Sequence, residues 1–216
     1  MNIKMKGVEM QKVAIVLIIA ISLFGIIYSQ SLLAPKISCP VADDNGAVLE
    51  FTLAGENAET LETERGIFIR YIIPTGGYIG DVGSPQIPVW STLVAIPPTS
   101  GVSAEIIECE WDTLRNVLLY PVQNRDNSQG FDYNEAAYRR GIYPARVIDV
   151  GEPAIMRDFR VAPINFYPFR YDAKSKILYI ARKMTVRVNF DGTDNRNTKS
   201  DLPYISEACD PLYRAV

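Results

Sequence analysis

From Lys176 to Phe190 the chain alternates. Leu178, Ile180, Met184, Val186, Val188 and Phe190 take even positions, while Lys183, Thr185, Arg187 and Asn189 take odd ones. A period of two sends successive side chains to opposite faces of an extended backbone, so the run predicts one long strand with a single buried face, bent at Ala181-Arg182. Upstream, Arg160 to Tyr171 is rich in aromatic and β-branched residues and is separated from this run by the polar turn Asp172-Ala173-Lys174-Ser175. Together the two runs predict a long β-hairpin. Pro163 and Pro168 lack a backbone donor, so the first arm is expected to lie at an edge or to change direction there.

Shorter runs extend the pattern. Leu49 to Leu53 follows the turn Asp43-Asp44-Asn45-Gly46, and Gly66 to Ile73 is closed by Pro74-Thr75-Gly76-Gly77. Thr92 to Ile96 follows the proline-dense Gly83 to Pro88, which reads as an edge or crossover, and Val102 to Glu110 alternates again. With 216 residues, 10% aromatics, 14 Pro and 14 Gly, the chain suits one mainly β domain with many turns and little helix. Asp43 and Asp44 lack the spacing of a calcium loop, and no Lys-Ser/Thr follows Gly76, Gly77, Gly80 and Gly83, so both groups read as turns. Trp90 and Trp111 read as packing residues in preference to sugar platforms.

The sequence contains no histidine. A Ser-His-Asp triad, a Cys-His dyad and every His-containing zinc site are thereby excluded. Cys39, Cys109 and Cys209 cannot all pair within the chain and form no CxxC, so they read as single buried or half-buried thiols. No metal or cofactor site is expected. The net charge of −3, with basic residues scattered singly, gives no nucleic-acid surface.

Lys4, Lys6 and Lys12 precede an apolar run from Val13 to Tyr28, the layout of a secretory signal cleaved between Ser29 and Gln30, with an uncleaved anchor as the alternative. The resulting division is 1–29 signal or anchor, 30–48 N-terminal extension, 49–191 β domain and 192–216 linker. Membrane contact is expected through the N-terminal segment alone. Val122 to Arg140 is polar, turn-rich and bounded by Pro121 and Pro144, and reads as a long surface loop with one helical turn near Glu135 to Arg139.

Several pieces occur in a fixed order: Gly83-Ser84-Pro85-Gln86-Ile87-Pro88, Tyr120-Pro121, Tyr143-Pro144, Gly151-Glu152-Pro153 with Ile155-Met156-Arg157, and Pro168-Phe169-Arg170-Tyr171-Asp172 before the alternating strand. In this order they resemble the propeptides of gingipain-type secreted bacterial cysteine peptidases, over the span from Glu50 to the C-terminus. The resemblance implies an antiparallel two-sheet β-sandwich with a long C-terminal β-hairpin, a non-catalytic role in latency and folding, and a cognate gingipain-like peptidase domain as partner, in cis or in trans. It also implies that residues 192–216 approach a peptidase domain downstream, the chain being a fragment that lacks it.

In that family the loop at Val122 to Arg140 carries a basic residue that enters the specificity pocket of the enzyme. Arg125 matches it, with Arg139 and Arg140 as alternatives, and an ordinary solvated arginine as the bland reading of each. A stand-alone exported binding module with Tyr and Trp as its platform, for adhesion or carbohydrate, is the competing function. A hydrolase using Asp132 and Glu135 is a third, set against the usual fate of two carboxylates in a polar loop, which is solvation. The leader generates one expectation: N-terminal sequencing of the exported chain should begin near Gln30, and a soluble cytoplasmic product still starting at Met1 would exclude it.

Overall fold

The computed structural model describes residues 34–125, 130–157 and 159–199. It contains β1 (Lys36–Asp43), β2 (Gly46–Thr52), β3 (Asn57–Thr63), β4 (Gly66–Ile72), β5 (Gly77–Ile79), β6 (Ile87–Ala95), β7 (Ser100–Arg115), β8 (Ile142–Tyr143), β9 (Ile148–Val150), β10 (Ala154–Met156), β11 (Phe159–Phe166), β12 (Phe169–Asp172) and β13 (Ile177–Thr193). A single 3-10 turn, Ala137–Arg139, is the helical element among the described residues. The expected mainly β, antiparallel architecture is what forms.

The alternating run is β13, and both of its edges are paired. β7 follows one edge from Ile177 to Thr193, while β12 (Ile177 to Ile180) and β2 (Lys183 to Asn189) share the other. With β1 outside β2 and β8 outside β12, this makes the first sheet. Leu178, Ile180, Met184, Val186 and Val188 are each 0% exposed. Arg187 is exposed, and Lys183 and Thr185 are half-buried. The bend expected at Ala181-Arg182 is a β-bulge: Ala181 faces Trp111 and Lys183 faces Glu110, leaving Arg182 as the extra residue. Its guanidinium bonds Glu56 and Asp112, each at 2.6 Å.

The second sheet runs β10-β11-β6-β5, with β9 also on β11. The C-terminal hairpin itself is β12–β13, and the chain leaves it at Pro168 to become β11 of the opposite sheet. Pro163 sits in mid-strand without disturbing the pairing. Its carbonyl accepts from Gly151 in the gap between β9 and β10, so the missing donor faces a break in the partner strand. β6 is half edge: Ile87–Val89 pairs with β5 on one side, and Trp90–Ala95 with β11 on the other.

Phe51 of β2 stacks on Phe166 of β11 at 4.8 Å, and Trp90 lies 5.7 Å from Phe51, joining the two sheets through an aromatic core. β1 lies within the stretch that composition reads as an extension, and it pairs with β2 across the turn in which Asp43 Oδ1 accepts from Asn45 and Gly46. At Gly46 a Cβ would stand 2.1 Å from the Val188 carbonyl oxygen, so only glycine fits.

At the far end Arg160, 2% exposed, donates to the carbonyls of Pro97, Ser100, Asp194 and Arg196. Polar residues 194–197, linker-like by composition, are thereby held against the domain. The Arg196 guanidinium bonded to Asp194 lowers that carboxyl to about 2.

Val186→Asp should abolish cooperative folding or cost several kcal/mol, because it buries an unpaired charge on the fully covered face of β13. Thermal unfolding measures it, and an unchanged midpoint would mean that the face is wrong.

Candidate functional site

The long loop rises from a root built by the Gly83 to Pro88 segment. Gly83 N–H donates to the Val122 carbonyl (2.7 Å), Val122 N–H to Ser84 (2.8 Å) and Gln86 N–H to Tyr120 (2.9 Å), with Pro85 bridged to Pro121. The returning strand of the loop is fixed to the same residue, since Asn134 N–H donates to the Gly83 carbonyl at 2.9 Å. Gly83 has φ +81°, and a Cβ there would lie 3.0 Å from Asn134 N, so both conformation and space call for glycine.

Above the root, one side chain closes the neck. Gln123 donates to the carbonyls of Pro121 (3.2 Å) and Asp132 (2.9 Å) and accepts from Asp132 N–H (3.0 Å), while Asp132 Oδ2 accepts from Asn124 N–H (2.9 Å). Asn134 Oδ1 caps the 3-10 turn through Ala136 and Ala137 N–H. Underneath lies an aromatic bed: Phe68 is 5.5 Å from Phe131 and 6.0 Å from Tyr133, and Tyr133 stacks on Tyr138 at 4.4 Å. The Tyr138 hydroxyl donates to the Leu119 carbonyl, and burial raises its pKa, so it remains a neutral donor. Arg65 lies 5.0 Å over the Tyr133 ring.

The three arginines have different surroundings. Arg125 stands one residue beyond the neck, exposed, with no ion pair to another described residue. Arg139 is exposed but paired with Glu135 at 3.1 Å. Arg140 is exposed beside a cavity of about 240 Å³ lined by Ile87, Tyr143, Tyr171 and Ala173, and its carbonyl accepts from Lys174 N–H. Ser29 and Gln30 lie outside the described residues. Asp132 and Glu135 do not form an acid pair: one holds Asn124 and the other Arg139.

Among the described residues no three His, Cys, Asp or Glu cluster to hold a metal. Cys109 is half-buried and its pKa is pushed up to about 11 by burial, whereas Cys39 is exposed on β1, contrary to the expectation of buried or half-buried thiols. Cys39 lies on the edge strand β1, whose residues are exposed apart from Ile37. Trp90 packs in the core. Trp111, read as a packing residue, is exposed on β7. Sequence reasoning missed the neck, because the contact between Gln123 and Asp132 has no local motif; the polarity of both residues inside a Pro-bounded loop was the only signal.

The loop and its arginines are thus rooted on a mainly β domain of antiparallel sheets. The family model Propeptide_C25 matches residues 34–202, and the chain belongs to that family of peptidase propeptides. It is similar to Gingipain R2 of Porphyromonas gingivalis, 24% identical over 77% of this chain and 23% of that protein, and to Lys-gingipain of the same species, 26% identical over 92% of this chain and 13% of that protein. The chain therefore spans less than a quarter of the length of these relatives. Among solved structures it resembles the complex of P. gingivalis RgpB pro- and mature domains, with TM-score 0.74 at 20% identity over 85% of this chain and 97% of that one. It also resembles a structure concerned with zymogenic latency of gingipain K, with TM-score 0.64 at 23% identity over 75% and 96%. The fold is that of a gingipain pro-domain, a non-catalytic unit.

Gln123→Ala should open the neck without unfolding the domain. Amide hydrogen exchange at Asp132 should rise sharply while global stability falls by about 1 kcal/mol, the usual net worth of an intramolecular hydrogen bond. Unchanged protection at Asp132 would show that the loop is held by its aromatic bed alone.

Proposed function

We propose that this pro-domain keeps a gingipain-like cysteine peptidase latent by lodging the Val122 to Arg140 loop in the active-site cleft, with Arg125 as the anchor, and assists the folding of that enzyme. The observation that carries the reading is Arg125, exposed and without an ion pair to another described residue, immediately beyond a neck closed by Gln123 and Asp132. A guanidinium offers a planar fork that a pocket carboxylate can accept bidentately. Because the neck is already ordered, less conformational freedom is lost when the loop docks. Inhibition of this kind needs no chemistry from the chain, only a sizeable interface and one well-seated side chain.

Two resemblances support a peptidase domain as the partner: one solved neighbour holds pro- and mature domains together, and the other concerns latency. Lys4, Lys6 and Lys12 before the apolar run support export. Among the described residues no helix is long and apolar enough to cross a membrane.

Arg125→Ala should leave the melting temperature unchanged and weaken inhibition of a gingipain-like peptidase with an acidic primary pocket by about 2 kcal/mol, roughly thirtyfold. Arg139→Ala, which removes an exposed residue already paired with Glu135, should matter less. Equal potency of wild type and the Arg125 variant in an inhibition titration would remove the anchor role.

A further inference from the structure

β7 carries apolar surface that the domain does not use. From Ile107 to Arg115 every residue except Cys109 is exposed, and Ile107, Trp111 and Leu114 are 48%, 38% and 38% exposed. Along this stretch the strand bonds to β13 on one edge, and no described strand pairs with the other. The N-terminal half of β7 differs: Val102 to Ile106 face the Ala145 to Val150 segment across a groove. Ile107 is the extra residue of a bulge, since Thr185 faces Glu108 and Val186 faces Ile106. The regular free edge therefore starts at Glu108.

An open edge with apolar side chains is a template for another strand, and natural sheets usually shorten, cover or charge such edges. Charge is present here and is mainly negative, with Arg115 at the end of the strand and Lys183 of β13 opposite Glu110. Asp112 is bonded to Arg182 at 2.6 Å and Glu105 lies 3.8 Å from Arg187, whereas Glu108 and Glu110 make no ion pair with a described residue. Pairing two copies of this edge about Glu110 would set carboxylates against carboxylates, which is destabilising in cross-strand positions. A strand bearing lysines or arginines between apolar residues meets complementary charge instead.

We propose that the free edge of β7 from Glu108 to Arg115 is a strand-addition site for an extended, basic and apolar polypeptide segment of a partner protein. Main-chain hydrogen bonds extend the first sheet by one strand, Trp111 receives an apolar side chain on one face, and Glu108 and Glu110 pair with the cations on the other. This inference goes beyond latency and uses neither Arg125 nor its loop.

The test titrates the chain with an end-blocked Lys-Val-Lys-Val-Lys-Val-Lys-Val peptide, following labelled-peptide anisotropy and backbone amide exchange. Saturable binding with new protection confined to residues 108–115 is expected. The Glu108→Lys, Glu110→Lys double variant should bind at least about tenfold more weakly, as should wild type offered the Glu-Val peptide or a Lys-Val peptide N-methylated at alternate residues. Absence of saturable binding, protection elsewhere, or equal binding of the N-methylated peptide would overturn the proposal. A dimer of the chain protecting the same amides would overturn the assignment of a basic partner.

Discussion

The two-sided pairing of β13 is the constraint on which the rest of the domain depends. A strand bonded along both edges leaves its N–H and C=O groups nowhere to go but the ladder, and an unpaired buried group costs about 1–3 kcal/mol. Its even face is fully covered, so a slip of one residue would expose five apolar side chains at once. The bulge at Arg182 allows one strand to serve two neighbours on the same side. β12 ends where β2 begins, and the carbonyl of Arg182 accepts from Leu53 N–H at that junction.

Closure of the second sheet over the first depends on the break at Pro168. Without a donor there the chain cannot continue along β13, and it crosses to the other layer, carrying Phe166 into contact with Phe51. The opposite end is closed by a cation. Arg160 is desolvated, yet four carbonyl oxygens accept its protons, so the segment after β13 is held by main-chain acceptors more than by the Asp194 carboxylate, 3.9 Å away.

The loop inherits its order from this scaffold. Its two ends meet at Gly83, its neck is closed by one amide side chain, and its base rests on rings anchored in β4. A long excursion of polar sequence is ordered at its root because few of its backbone groups there are left to water. Arg125 and the edge of β7 are separate features, one a single projecting cation and the other a row of carboxylates with apolar residues between them.

The sequence alone determined the strand character of β13, its buried parity, its bend and the turn before it. Those follow from a local period and from turn chemistry, which involve residues a few positions apart. It also determined that no histidine chemistry is possible, and through the order of its motifs it indicated the family. Tertiary structure decided what distant residues do together. That Gly83 cradles a loop fifty residues away along the chain, that Gln123 closes its neck, that β11 belongs to the opposite sheet and that Arg160 holds the tail all rest on pairings with no local pattern to announce them. The physical reason is the same in each case: a hydrogen-bonding group finds its partner where the folded backbone brings one within about 3 Å, and sequence separation does not enter that condition.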